Sequence, residues 1–157
     1  MTAILMFASA CGSDQESSSP KPTETATTTA PKLIDYEKDG GVILHKASDI
    51  SKLDGAPDDF KQFIAGVIDT SVNSGEQDTQ CPTTISVDKF DPSGYAAGSI
   101  GDCGGAELLW AKRDGAWQQI WGGQTIRECA DMKKYSVPVA IAGDQCWDGK
   151  KAVTYTG

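Results

Sequence analysis

Histidine is almost missing from this 157-residue chain, with His45 its sole occurrence. A zinc site would then have to rest on cysteines, yet no CxxC pair occurs, which argues against a structural metal. The same scarcity weighs against nucleophilic catalysis. His45 follows the apolar segment Val42-Ile43-Leu44 with no serine or cysteine motif beside it, and GxSxG is absent. Positive charge is also short: 14 Lys and Arg face 22 Asp and Glu, a net −8. Binding phosphate backbones needs clustered cations, so a nucleic-acid partner is excluded, as is electrostatic adsorption to an anionic membrane. No run of eighteen apolar residues is present to span a bilayer.

Other chemistry-bearing patterns are equally thin. Residues 101–105, GDCGG, are glycine-rich but lack the Lys-Ser of a phosphate loop and any dinucleotide fingerprint. Their expected role is to let the backbone bend beside a disulfide. Asp88 and Asp91 with Ser93 could approach a cation but do not match a calcium loop. Asp58 and Asp59 are accounted for by the positive end of a helix dipole. No catalytic residue, metal or cofactor is therefore assigned.

What is there begins at the N-terminus. Residues 1–10, MTAILMFASA, form a short apolar run ending in small residues, the shape of a signal-peptide core and its processing site. The basic region that opens such signals is missing, and the expectation is that the natural start lies upstream of Met1. Ala8-Ser9-Ala10-Cys11 resembles the lipobox of bacterial lipoproteins, with alanine where leucine is usual at its first position. The resemblance implies that Cys11 is lipidated and becomes the mature N-terminus. Two acyl chains, at about 0.8 kcal/mol per buried CH₂, would hold a soluble domain on the membrane. Residues 11–32 are dominated by Ser, Thr and Pro, a composition unable to bury enough surface to fold. They are expected to act as a tether reaching about 25 Å.

Residues 33–157 are expected to form one globular domain. The periodicity predicts a helix over residues 57–73, PDDFKQFIAGVIDTSVN, with Phe60, Phe63, Ile64, Val67, Ile68 and Val72 on one face. Pro57 suits the first turn and Gly75 the C-terminal stop. Burying that stripe contributes on the order of 10 kcal/mol before entropy is subtracted. Val42–Leu44 suits an edge strand. Residues 83–90 and 95–100 read as a hairpin across the turn Asp91-Pro92-Ser93-Gly94. Ile85 and Val87 then share a core face with Ala96, Gly98 and Ile100, while Thr84, Ser86, Asp88 and Ser99 form a solvated face.

Residues 106–123 read as a second hairpin at Asp114-Gly115. A two-residue turn puts Trp110, Trp117 and Trp121 on one face, whereas a three-residue loop with a bulge sets Trp117 and Trp121 opposite Trp110. Both registers stay open at this point. Residues 126–135 suggest a short helix, and the end beyond Trp147 is expected to fray. The architecture predicted is α+β: one amphipathic helix on a four-stranded antiparallel meander, with a short C-terminal helix and two disulfides. In the first hairpin, facing residues have numbers summing to about 185, so Cys81 and Cys103 fall opposite one another at its open end. By remainder Cys129 pairs with Cys146.

The segments GG–LLW–RDGAW–QIW (residues 104–121), IRECADMKKYSVPVAIAGDQC (126–146) and LDGAPDDFKQFI (53–64) resemble a family of secreted actinobacterial lipoproteins. The resemblance implies export and lipidation and brings no activity with it. A helix on a four-stranded sheet with two disulfides is also similar to β-lactamase-inhibitor-type modules, an analogy of fold that carries no function. The sequence reading is a non-enzymatic, lipid-anchored protein of the bacterial cell envelope, facing outward, with a protein or cell-wall polymer as partner. Tyr95, Trp117 and Trp121 are its candidate binding surface. The alternatives are a small extracytoplasmic enzyme with an unrecognised site and a structural subunit of an envelope complex.

The lipid anchor makes a direct prediction. Expressed in a bacterial host, the full chain should sediment with membranes, and Cys11→Ala should move it to the soluble fraction; a variant that stays with the membrane contradicts the anchor.

Overall fold

The computed structural model describes residues 32–72 and 80–157. The expected signal segment 1–10, the expected lipidation site Cys11, the expected tether through residue 31 and the expected helix stop at Gly75 lie outside them. Residues 31–157 form one compact unit. No helix among the described residues is long and apolar enough to cross a membrane.

Helix α1, Asp58–Val72, forms where the apolar stripe predicts it. Phe60, Ile64 and Ile68 recur every four residues and are fully buried, with Phe63 and Val67 half-buried beside them. The stripe lies on a six-stranded antiparallel sheet. Strands β1, Ile34–Asp35, and β2, Val42–Leu44, both pair with the outer edge of β3, Thr84–Asp91. The sheet then runs through β4, Tyr95–Gly101, and β5, Ala106–Arg113, to β6, Ala116–Gly123. The expected meander is thus β3 to β6, and the residues before α1 add β1 and the expected edge strand β2 along its β3 side.

Both hairpin turns follow from their residues. Gly94 adopts φ +100° and donates its N–H to the Asp91 carbonyl, while the Asp91 side chain accepts from the Ser93 N–H. In the second turn Asp114 and Gly115 take φ of 51° and 83°, the left-handed pair of a two-residue hairpin loop. Two bulges interrupt the ladders. In β3 the register shifts between Val87 and Lys89, which brings Phe90 to the α1 face with Ile85 and Val87. In β6 it shifts around Ile120, so that Trp121 pairs with Leu109 and not with Leu108.

The main departure from the sequence reading is on the far face. That face was expected to be solvated; instead much of it carries a second core. Ala97 and Leu109 pack there with Met132, Val137, Ile141 and Tyr155. The covering layer is the C-terminal segment: α2, Cys129–Lys134, α3, Val139–Ala142, and the two-stranded ribbon of β7, Gln145–Trp147, and β8, Ala152–Thr154. The reason lies in β5, where Leu108, Leu109, Trp110 and Ala111 are four consecutive buried residues. Alternating strand geometry sends them to both sides, so both sides must be covered. The helix expected over residues 126–135 shrinks to α2, because Glu128 instead bridges to Trp147 in an extended conformation. Nor does the end fray: Tyr155 is buried and donates its hydroxyl to the Val137 carbonyl at 2.7 Å.

Cys81 is joined to Cys103, and Cys129 to Cys146. With separations of 22 and 17 residues, each removes roughly 3 kcal/mol of loop entropy from the unfolded chain. Two disulfides point to an oxidising, extracytoplasmic setting.

The first core depends on a close approach. A Cβ placed on Gly98 would lie 2.0 Å from the Ser86 carbonyl oxygen and 2.8 Å from the Trp110 ring. Only glycine lets the fully buried indole lie across β4 beneath Phe60. Gly98→Ala is therefore expected to cost about 3 kcal/mol or more, read from the urea midpoint; an unchanged midpoint would refute this packing.

Candidate functional site

The aromatic residues singled out from sequence do not form one platform. The bulge at Ile120 divides them, a result that neither hairpin register anticipated. Trp117 stays on the α1 face, its ring 4.7 Å from Phe60 and its indole N–H donating to Asp59 at 3.1 Å. Lys112 reaches the same Asp59 oxygen at 2.5 Å. These bonds, with the Lys112 N–H···O geometry foremost, hold the Asp59 carboxyl below the usual aspartate range. Trp117 thus clamps the start of α1 to the sheet. Tyr95 and Trp121 lie on the opposite face, both half-buried against the second core. The Tyr95 hydroxyl donates to the Tyr135 carbonyl at 2.9 Å, and Arg113 lies over the Tyr95 ring and also bonds that carbonyl.

The remaining candidates are occupied locally. His45 is exposed, and its backbone N–H donates to Asp49. That bond leads the causes that lower the Asp49 pKa. Asp91 serves its own turn, whereas Asp88 accepts from the Ser86 hydroxyl. No group of three His, Cys, Asp or Glu side chains among the described residues is placed to hold a metal ion.

A different set of residues converges where the second layer ends. Directly paired residues Ser86, Ser99, Glu107 and Gly123 form a row across four strands on the far face. The next row, Ala97, Leu109 and Trp121, is covered by the C-terminal segment. Much of the first row is not, and an open groove of about 820 Å³ runs along it. Ser99, Glu107 and Gly123 contribute to its floor. One wall is the glycine-rich β4–β5 loop, with Gly101, Gly104 and Gly105; the other is residues 124–127 together with 142–145. Each wall has a disulfide beside it. Cys103 sits between Gly101 and Gly104, while Cys129 lies two residues after Arg127 and Cys146 directly follows Gln145.

Arg127 links these parts. One terminal nitrogen donates to the Ala142 carbonyl at 2.6 Å and the other to Glu107 Oε2 at 2.6 Å. Its guanidinium lies 5.2 Å from the centre of the Trp121 ring, a cation–π distance. Its Nε is buried with no hydrogen-bond partner among the described residues. The Arg127 side chain is 17% exposed and that of Glu107 is 61% exposed, so the pair is anchored on one side and presented on the other. Gln124 closes the corner, donating its amide to the Gly105 carbonyl at 2.6 Å. The site can therefore recognise a ligand by hydrogen bonds from a fixed polar frame.

Behind the floor a polar chain continues inward. Ser99 and Ser86 hydroxyls are 2.8 Å apart, and Ser86 donates to Asp88 at 3.0 Å. Burial raises the Asp88 pKa, against the opposing Ser86 bond, with Glu37 and Glu107 adding repulsion.

Sequence reasoning missed Ser99, Glu107, Arg127 and Asp144 as site residues. The glycine-rich loop was visible, but the Glu107–Arg127 pair spans 20 residues and left no local pattern. As a class, then, this is a disulfide-stapled α+β domain with an open polar groove. No protein-family model matches the chain, and no curated protein or solved structure matches it either.

The half-buried Asp88 carboxyl gives a pH prediction. Asp88 binds a proton more readily folded than unfolded, so its contribution to stability falls as pH rises from the ordinary aspartate value through its raised value. Asp88→Asn should raise Tm at pH 7, with the gain vanishing as pH approaches about 4. An equal or lower Tm at pH 7 would count against a buried charge there.

Proposed function

We propose that the protein is a non-enzymatic, lipid-anchored binding module of the bacterial cell envelope, and that the groove beside Glu107 and Arg127 is its ligand site. The observation that carries the reading is the groove itself: a preformed polar frame with a disulfide beside each wall. Pre-organisation of this kind lowers the entropy lost on binding. An oxidising compartment agrees with export, and the lipobox-like sequence before Cys11 supplies the anchor. Membership of the secreted actinobacterial lipoproteins that the sequence resembles belongs to the same proposal. A binding role is favoured over an enzyme by the surroundings of Ser99, whose hydroxyl meets another hydroxyl, Ser86, and not a base that would activate it. The partner is sought outside the membrane, in the wall polymer or among envelope proteins.

Co-sedimentation of the full chain, held in detergent, with purified cell-wall polymer tests this. Glu107→Lys should abolish sedimentation, because it replaces the partner of Arg127 with a like charge. Gln62→Lys, on the exposed side of α1, should leave it intact. Equal binding by both variants would move the site away from the groove.

A further inference from the structure

The groove's inventory of donors, acceptors and charge points to a ligand class, an inference that rests on the groove being the binding site. We propose that it takes a neutral, hydroxyl-rich ligand: a glycan, in preference to an anionic polymer or an extended peptide.

Charge is the first argument. Two carboxylates, Glu107 and Asp144, line the groove against one guanidinium. That guanidinium is already engaged by Glu107 at 2.6 Å. A polymer of phosphates or uronates meets residual negative charge in the groove and a chain carrying −8.

Hydrogen-bonding capacity is the second. Carboxylates accept and do not donate. One N–H of the Gln124 amide is engaged by the Gly105 carbonyl, which leaves its other N–H as a donor and its oxygen as an acceptor. The carboxylates of Glu107 and Asp144 therefore weight the groove towards acceptors, which a ligand rich in donors satisfies. Sugar hydroxyls bring several per ring, a peptide one N–H per residue, and a phosphodiester none. Each hydroxyl also accepts, which suits the unused N–H groups of Arg127 and the hydroxyls of Ser99 and Thr125.

Shape is the third. Gly104 and Gly143 place no Cβ beside the groove-lining Gln124 and Arg127, so a saccharide ring can approach the backbone closely there. The exposed Ile126 supplies an apolar contact for a ring face.

The test presents the full chain in detergent to an array of immobilised neutral, carboxylated and phosphate-bearing oligosaccharides, beside the wall-polymer sedimentation. Retention on neutral saccharides should exceed that on acidic ones at least about tenfold, the scale of a hydrogen bond to a charged group. Glu107→Gln should fold normally, since the side chain is 61% exposed. It should weaken neutral binding about tenfold and raise the acidic-to-neutral ratio, because it frees the Arg127 charge. Preference for acidic saccharides, or no retention on neutral ones while wall sedimentation persists, overturns the ligand class and spares the binding module. Neutral binding that Glu107→Gln leaves unchanged places the sugar elsewhere and overturns it as well. Absence of both saccharide retention and wall sedimentation in the unmodified chain overturns the ligand class and leaves an envelope protein as the module's partner.

Discussion

Four consecutive buried side chains in one strand set the terms for the rest of the molecule. Leu108 and Trp110 point towards α1, while Leu109 and Ala111 point away from it. A strand with apolar residues on both faces cannot sit in a one-sided sheet without exposing half of them. The amphipathic helix covers one face. The C-terminal thirty residues cover the other, although their elements are too short to be stable alone. What keeps them in place is tertiary: the Cys129–Cys146 bond, the Tyr155 hydroxyl on Val137, and Arg113 and Tyr95 on the Tyr135 carbonyl.

The groove exists because that cover is shorter than the sheet. One row of the far face, Ser86, Ser99 and Glu107, is polar and remains outside the second core. Burying such a row under an apolar layer would cost the hydration of each group. The C-terminal layer ends beside it, and Arg127 spans the boundary, bonded to the layer through Ala142 and to the sheet through Glu107. The same arrangement that completes the core thereby leaves a rigid polar edge. Its residual charge follows the acidic balance of the whole chain, and the proposed preference for hydroxyl-rich over anionic ligands rests on it.

Local signals were legible, and long-range ones were not. The spacing of Phe60, Ile64 and Ile68 announced α1, and the turns at Asp91–Gly94 and Asp114-Gly115 announced both hairpins, because each depends on neighbours in sequence. A bulge has no such signature. The one near Ile120 sent Trp121 to the opposite face from Trp117, and the one near Asp88 returned Phe90 to the core. The run Leu108–Ala111 has the pattern of a strand buried on both sides, which the sequence reading missed; Ser86 and Ser99 suggested a wet face, and the face proves to be divided. The candidate site was hardest to foresee. Its central pair is assembled by the docking of residues 126–146 onto the sheet, which no periodicity records.

The most direct test of the account is to map the ligand footprint on the folded chain. Amide hydrogen exchange would be followed with and without cell-wall polymer, across all described elements. The account predicts new protection in residues 99–107, 123–127 and 142–145, with α1 unchanged. Protection confined to α1 and the strand bearing Trp117, with the groove segments unaltered, would contradict it.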